Sequence, residues 1–318
     1  MGACISPRGV DMSISRDKEG RSSDTANPPQ AASFRERPKS FLHKDPLSFH
    51  YTDGTLKAIR DIIFEKEGFD LDSYKDKCIQ RRISYRIRTS GCKSVEDYME
   101  VLRRKEEEVK RLLSALTINV TEFFRNRSTF DKLRDIVLPD IFAMKERDRS
   151  VRIWSAGCAS GEEPYTVAII LKESFPEELK RFDISITATD VDEEIINKAA
   201  AGVYTREKLT GVEPTLRDKF FQESGDCYRL SDDIKKMVSF QREDIFQGRL
   251  HGENDLVICR NLLIYFSKEK QEWVQNKFWK SLNPGGFLLL GRSEILVGES
   301  RRFFLTVCPR ERIYRKSF

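Results

Sequence analysis

The spacing of apolar residues changes twice along the chain. Residues 1 to about 45 show no hydrophobic period. Ser, Arg, Asp, Pro and Ala dominate there, and Pro28, Pro29 and Pro38 interrupt any helix. A disordered tail is expected over 1–45. From there to Leu116, apolar positions recur every three to four residues. Leu56, Ile59, Ile62 and Ile63 form one stripe, and Ile79, Ile83 and Ile87 a second. Val95, Tyr98, Val101 and Leu102 form a third, and Val109, Leu112, Leu113 and Leu116 a fourth. Gly68 and Gly91 punctuate them. Four amphipathic stripes predict a small all-helical domain over 46–118.

After residue 150 short apolar runs alternate with longer helical stretches. Strands are predicted at 151–154, 184–188, 237–240, 256–259 and 287–290, and helices at 162–175, 192–201 and 267–282. Strands alternating with helices predict a mostly parallel sheet covered on both faces, here over 119–318.

Composition narrows the class. Hydrophobic residues make up 39% of the 318 and charged residues 34%, enough for a packed core and a solvated surface. No uncharged apolar run approaches the ~20 residues of a membrane span. No apolar leader core is read near Met1, so a cytoplasmic location is expected. Met1-Gly2-Ala3-Cys4-Ile5-Ser6 matches the six-residue N-myristoylation pattern, with Cys4 a candidate palmitoyl site, but an unmodified tail is the favoured expectation. The seven cysteines form no CxxC pair and there are three histidines, so reduced thiols and no metal are expected. A net charge of +5 permits an acidic partner without implying nucleic acid.

In open α/β sheets the ligand lies beyond the carboxyl ends of the strands, so the residues after each strand carry the chemistry. The first strand runs into Ser155-Ala156-Gly157-Cys158-Ala159-Ser160-Gly161-Glu162-Glu163-Pro164. This is neither a G-x-G-x-x-G fingerprint nor a P-loop. Glu162 and Glu163 open the next helix, where carboxylates suit the helix dipole but repel a pyrophosphate. The expected cofactor therefore lacks phosphates and has a cationic or hydroxyl-rich end, as S-adenosylmethionine does. Asp190 follows the second strand, placed to accept from ribose hydroxyls. Asp192 reads either as a further acceptor or as a helix N-cap. Asp244 follows the third strand, a candidate acceptor for an adenine amino group with Ile245 beside the ring. The fourth strand ends in polar Arg260-Asn261, and Asn283-Pro284-Gly285-Gly286 reads as a tight turn before a buried strand.

Four separated motifs then carry a resemblance. Asn119-Val120-Thr121-Glu122-Phe123-Phe124-Arg125, Ser160-Gly161-Glu162-Glu163-Pro164-Tyr165, Ala188-Thr189-Asp190-Val191-Asp192 and Cys259-Arg260-Asn261-Leu262-Leu263-Ile264-Tyr265-Phe266 occur in that order. Together they resemble the chemotaxis receptor methyltransferase family CheR, over about residues 47 to 316. The resemblance implies a class I methyltransferase, Rossmann-like α/β sheet with an N-terminal all-helical domain and a short antiparallel β insertion, here at 222–242. It implies methylation of glutamate side chains on chemotaxis receptors to γ-methyl esters in chemosensory adaptation. S-adenosylmethionine is the implied donor and S-adenosylhomocysteine the product. By matched position, Asn119, Thr121 and Arg125 would reach the methionyl end and the active site. Glu163, Asp190, Asp244, Ile245, Arg260 and Asn261 would hold the cofactor, and Tyr265 would stand by the reacting atoms. Relatives that dock on a receptor's C-terminal pentapeptide use the β insertion. That stretch looks short around Glu223-Ser224-Gly225-Asp226, so pentapeptide tethering is not expected.

The expected partner is the cytoplasmic domain of a receptor, with no nucleic acid and no membrane insertion. Arg125 is the candidate clamp for the incoming carboxylate, with Tyr265 to orient it. Arg81, Arg82 and Arg86 flank the Ile79, Ile83 and Ile87 stripe, and Arg82 and Arg86 stand four residues apart on one helical face. That face would meet an acidic receptor helix; the bland alternative is a solvated charge run. Two other functions remain open from residues alone. One is a class I methyltransferase acting on RNA, and the other is a non-catalytic module that binds the cofactor as a scaffold.

Overall fold

The computed structural model describes residues 49–117, 120–249 and 251–317. The expected tail with its Gly2 and Cys4 lies outside the described residues, as does Asn119.

The four apolar stripes become four helices: α1 (Asp53–Glu67), α2 (Asp76–Ser90), α3 (Val95–Arg104) and α4 (Glu106–Leu116). Local signals set their ends. Thr52 and Thr55 form a reciprocal capping box before α1, and Ser94 caps α3 through the Asp97 amide. Gly68 and Gly91 end α1 and α2 in the left-handed conformation. The stripes face one another. Ile59, Ile63, Ile83, Ile87, Tyr98, Leu102, Val109 and Leu112 are fully buried in a single cluster.

A helical segment bridges to the second domain: α5 (Arg127–Lys132), a π-turn at Leu133–Val137 and α6 (Leu138–Met144). Alternation then begins with β1 (Ser150–Ala156), α7 (Glu162–Ser174), α8 (Pro176–Arg181), β2 (Asp183–Asp190) and α9 (Glu193–Ala201). Next come β3 (Val203–Thr205), a 3-10 turn (Arg206–Leu209), α10 (Pro214–Phe220), β4 (Phe221–Ser224), β5 (Cys227–Leu230) and α11 (Asp232–Lys235). The chain closes with β6 (Val238–Arg242), β7 (Asn254–Cys259), α12 (Lys268–Ser281), β8 (Leu282–Leu290), α13 (Ser300–Phe303), β9 (Phe304–Cys308) and β10 (Ile313–Lys316).

The main sheet has the order β6-β2-β1-β7-β8-β10-β9. Pairing is parallel from β6 through β8, and β10 and β9 add antiparallel. Alternate residues feed opposite faces. Ile153, Leu256, Ile258 and Leu289 enter one core, while Trp154, Val257, Cys259 and Leu290 enter another that includes Val274 and Phe278 of α12. Strand order reverses between β1 and β7, and a crevice opens at such a switch point.

The small sheet has the order β3-β5-β4, all antiparallel. This corrects the boundaries expected for the insertion. It begins at β3, a strand of only three residues with no detectable period, and 238–242 is β6 of the main sheet.

The helical domain docks where the switch point opens. The Lys75 amide donates to Tyr265 O (2.9 Å) and Lys75 Nζ to Ile264 O (2.7 Å). The Tyr74 and Phe266 rings meet edge-on at 5.0 Å. Thr117 Oγ1 donates to Asp192 Oδ2 (3.2 Å), tying the end of α4 to the start of α9. Among the described residues no helix is long and apolar enough to cross a membrane.

Candidate active site

A cavity enclosing about 930 Å³, its mouth included, opens at the carboxyl ends of β1, β2 and β7. Thr121 and Arg125 line it from the loop between α4 and α5, and Glu163 from the start of α7. Asp190, Asp244 and Ile245 form another part of the wall, and Arg260, Asn261 and Tyr265 complete it. Nine of the residues singled out above thus share one space.

The loop after β1 is drawn tight by its backbone. The Gly157 and Cys158 amides donate to Thr189 O (2.8 and 3.0 Å). Gly157 has φ +75° and sits so close to Leu262 that a Cβ would lie 2.7 Å from its Cδ2, so a larger residue would be strained there and would push the Leu262 side chain aside.

Five carboxylates line the cavity: Glu122, Glu163, Asp190, Glu243 and Asp244. Asp190 Oδ2 accepts from the Ala159 amide (2.9 Å) and Oδ1 from the Asp192 amide (3.1 Å). Burial nonetheless pushes the Asp190 carboxyl up to about 6. Burial also raises Glu163, opposed by Arg260 and Ser155. Ser155 Oγ donates to Glu163 Oε1 (2.9 Å), and Arg260 Nη1 stands 3.4 Å from Oε2. Asp244 is raised by burial too, against a hydrogen bond from the Phe246 amide (2.9 Å). Lys277 Nζ donates to Ile245 O (2.9 Å) and fixes that turn. Of the two readings for Asp192, the N-cap holds: its Oδ1 accepts from the Glu194 and Ile195 amides (3.0 and 3.2 Å).

Arg260 is committed inside the protein. Its side chain is 2% exposed, and Nη2 donates to Arg125 O (2.7 Å) and Asn126 Oδ1 (3.0 Å). Glu294, which the sequence did not flag, accepts from the Asn261 amide (2.9 Å) and the Gly291 amide (2.6 Å). Its position, four residues past the end of β8, is the only linear cue to that role. Asn261 has φ +61°, and its Oδ1 is buried with no hydrogen-bond partner. Phe124, Asn126 and Ala159 share this left-handed conformation in the adjoining loops, with φ of 54°, 60° and 48°. Such residues cost about 1–3 kcal/mol each and gather where a fold is held to a purpose.

At the mouth, Arg125 Nη1 donates to Val120 O (2.8 Å). Burial raises the Tyr265 phenol, while Arg82, Arg125 and Arg81 act on it in the opposite direction. Arg81 is exposed, and Arg82 has a buried Nε without a hydrogen-bond partner.

Arg86 does not join them, which corrects the docking face read from helical spacing. Its Nε and Nη2 donate to Glu108 (2.8–2.9 Å), and Tyr98 donates to the same carboxylate (2.8 Å). The Arg86 side chain is 15% exposed and that of Glu108 7%, so this is an interior ion pair between α2 and α4.

The cavity's chemistry fits S-adenosylmethionine. Its walls offer acceptors in excess: five carboxylates and the orphaned amide oxygen of Asn261. The ribose hydroxyls, adenine amino group and ammonium of that molecule are all donors. No phosphate is needed, and none would be tolerated beside Glu163 and Asp190.

Comparison with known proteins agrees. A family model described as "CheR methyltransferase, all-alpha domain" matches residues 54–117, and "CheR methyltransferase, SAM binding domain" matches 119–311. Chemotaxis protein methyltransferase 2 of Vibrio cholerae is 35% identical over 249 residues, 76% of this chain and 86% of that protein. The chemotaxis protein methyltransferase of Borreliella burgdorferi is 30% identical over 263 residues, 80% of this chain and 93% of that protein. Among solved structures, magnesium protoporphyrin IX methyltransferase from Synechocystis with bound SAM aligns at a TM-score of 0.32 and 15% identity. That alignment covers 60% of this chain and 81% of the other, too slight a likeness to carry weight. With a helical domain and a SAM-binding domain matched in order, and relatives matched nearly end to end, the chain belongs to the CheR methyltransferase family.

Proposed function

We propose that this enzyme methylates glutamate side chains on the cytoplasmic domain of a chemotaxis receptor. The products would be glutamyl γ-methyl esters and S-adenosylhomocysteine, in the service of chemosensory adaptation. The observation that carries this reading is that Arg125 and Tyr265 stand together in the wall of a carboxylate-lined cavity.

When bound, S-adenosylmethionine supplies a methyl group already activated by its sulfonium. Asp190 would accept from the ribose hydroxyls, Asp244 from the adenine amino group, and Ile245 would pack on the ring. The free oxygen of Asn261 suits the cofactor's ammonium. Thr121, Glu163 and Arg260 would complete that end, and Asn119, outside the described residues, is assigned to it by matched position alone. Arg260 contributes by holding Glu163 and the Arg125 carbonyl in place.

A glutamate acceptor is ionised at neutral pH, with a reference pKa of about 4.3, so no general base is required. What remains is alignment and removal of water. Arg125 can clamp the carboxylate through two N–H groups. Tyr265 can donate one hydrogen bond, since a phenol is protonated at neutral pH and burial pushes it further that way. Arg81 and Arg82 would steer an acidic receptor helix to the mouth. Strands β4 and β5 have only four residues each, and docking is proposed to proceed without a receptor pentapeptide. A cytoplasmic location follows from this partner.

The test is incubation with methyl-labelled S-adenosylmethionine and receptor-bearing membranes of the same cell, followed by alkali. Label on receptor released as methanol is the expected result. Base-stable label on RNA would replace this reading with the RNA methyltransferase, and cofactor binding without transfer would replace it with the scaffold.

A further inference from the structure

The loop that brings Thr121 and Arg125 to the cavity has little regular structure of its own: residues 120–126 are neither helix nor strand. Two of its residues, Phe124 and Asn126, are held at positive φ. Something outside the loop must keep it there. The Phe124 amide donates to Thr166 Oγ1 on α7 (3.2 Å), and the Arg125 carbonyl accepts from Arg260 (2.7 Å). Two more ties come from one residue at a distance in sequence. Lys208 Nζ donates to Thr121 O (2.6 Å), and Lys208 O accepts from the Phe123 amide (3.3 Å).

Lys208 itself is anchored. Its ammonium lies 3.0 Å from Glu162 Oε1, a carboxylate with no solvent exposure at the start of α7. Ser160 Oγ donates to the same carboxylate, and Tyr204 OH donates to Ser160 O (2.8 Å). Gly211, three residues on, lies so close to the loop that a Cβ would stand 2.4 Å from Phe123 O. The Phe123 ring packs edge-on against Tyr204 and Phe221 at 4.9 and 5.1 Å. The turn after β3 thus forms a backboard for the loop.

We propose that Lys208 is a positioning residue for methyl transfer. Its ammonium and carbonyl clamp the Val120-to-Arg125 loop, so that Arg125 meets the acceptor carboxylate in register. It touches neither donor nor acceptor; it acts through Thr121 and Phe123. An ammonium can do this where a neutral side chain cannot, because one group must satisfy both a buried carboxylate and a backbone carbonyl. This deepens the proposed glutamate methylation and rests on it.

The experiment compares wild type, Lys208→Met and Lys208→Arg with the receptor's cytoplasmic fragment as acceptor. Lys208→Met is expected to lower kcat roughly 10- to 100-fold, the scale of a misplacement near 1 Å. The Kd for S-adenosylmethionine should weaken by no more than about threefold, by way of Thr121 alone, and Lys208→Arg should recover most of the kcat, since a guanidinium can bridge the same two acceptors. Hydrogen exchange of the amides in 120–125 should quicken in Lys208→Met while β1 stays protected. The proposal is overturned if Lys208→Met keeps its kcat, if kcat and cofactor affinity fall by the same factor, or if Lys208→Arg is as slow as Lys208→Met. It is also overturned if loop exchange is unchanged. Exchange is read without any acceptor, so a wild-type protein that methylates no receptor would sink the proposed function while the clamp is still judged on its own.

Discussion

Asp190 combines two demands that oppose each other, and replacing it with Asn separates them. The carboxyl is 9% exposed, and burial moves it from an ordinary 3.8 to about 6. That displacement corresponds to about 3 kcal/mol against the charged form. The folded protein binds this proton more tightly than the unfolded chain does. Stability from this group is therefore greatest below 3.8 and is lost as pH rises through about 6. At pH 7.5 the full penalty is present. Asp190→Asn removes it, but turns an amide N–H₂ toward the Ala159 or Asp192 amide, which both donate to the carboxylate now. One unsatisfied pair of donors costs about 1–2 kcal/mol, so a net gain of about 1 kcal/mol is expected. The melting temperature should rise by about 2–4 °C. Cofactor affinity should move the other way. Losing charge-assisted bonds to ribose would weaken binding about 10- to 100-fold. On the proposed role the ionised carboxylate is the binding form, and with a pKa of about 6 only about one-eleventh of it is ionised at pH 5. Kd should then be about tenfold weaker at pH 5 than at pH 8. Titration calorimetry across that range, beside thermal melts, reads both effects. A wild-type Kd flat with pH, or an Asp190→Asn curve parallel to it, would refute the reasoning.

Arg125→Ala should cut turnover at least about 100-fold and leave cofactor Kd within a few-fold, by labelled-transfer assay beside calorimetry; unchanged turnover removes Arg125 from the chemistry. Charge reversal at Arg81 and Arg82 should raise KM for the receptor severalfold at constant cofactor affinity, and the salt dependence of KM should flatten. An unaltered KM would leave that face merely solvated. Arg86→Ala should do the converse: a loss of about 3 kcal/mol in urea unfolding from an unpaired, buried Glu108, with receptor KM unchanged. A normal unfolding midpoint together with a raised KM would return Arg86 to the docking face.

Much of the architecture was legible in order of residues alone, for a physical reason. Burial on a helix or strand depends on neighbours a few positions away, so period reports it. Ile79, Ile83 and Ile87 were read as one stripe and are buried together. The strands at 151–154 and 256–259 extend by one to two residues at their ends, and Asp190, Asp244 and Asn261 meet because parallel strands deliver their carboxyl ends to one edge.

What the linear order could not decide is which polar groups find each other across the fold. Helical spacing puts Arg82 and Arg86 on one face, yet Glu108, 22 residues beyond Arg86, draws Arg86 inward. Lys208 lies 87 residues from Thr121, and Glu294 lies 33 from Asn261. The three residues of β3 are too few to show a period, so the small sheet's start was missed. Repetition along the chain encodes which side of an element is apolar. The partner of a charge is set by packing between elements, and only the folded chain brings those partners within hydrogen-bonding distance.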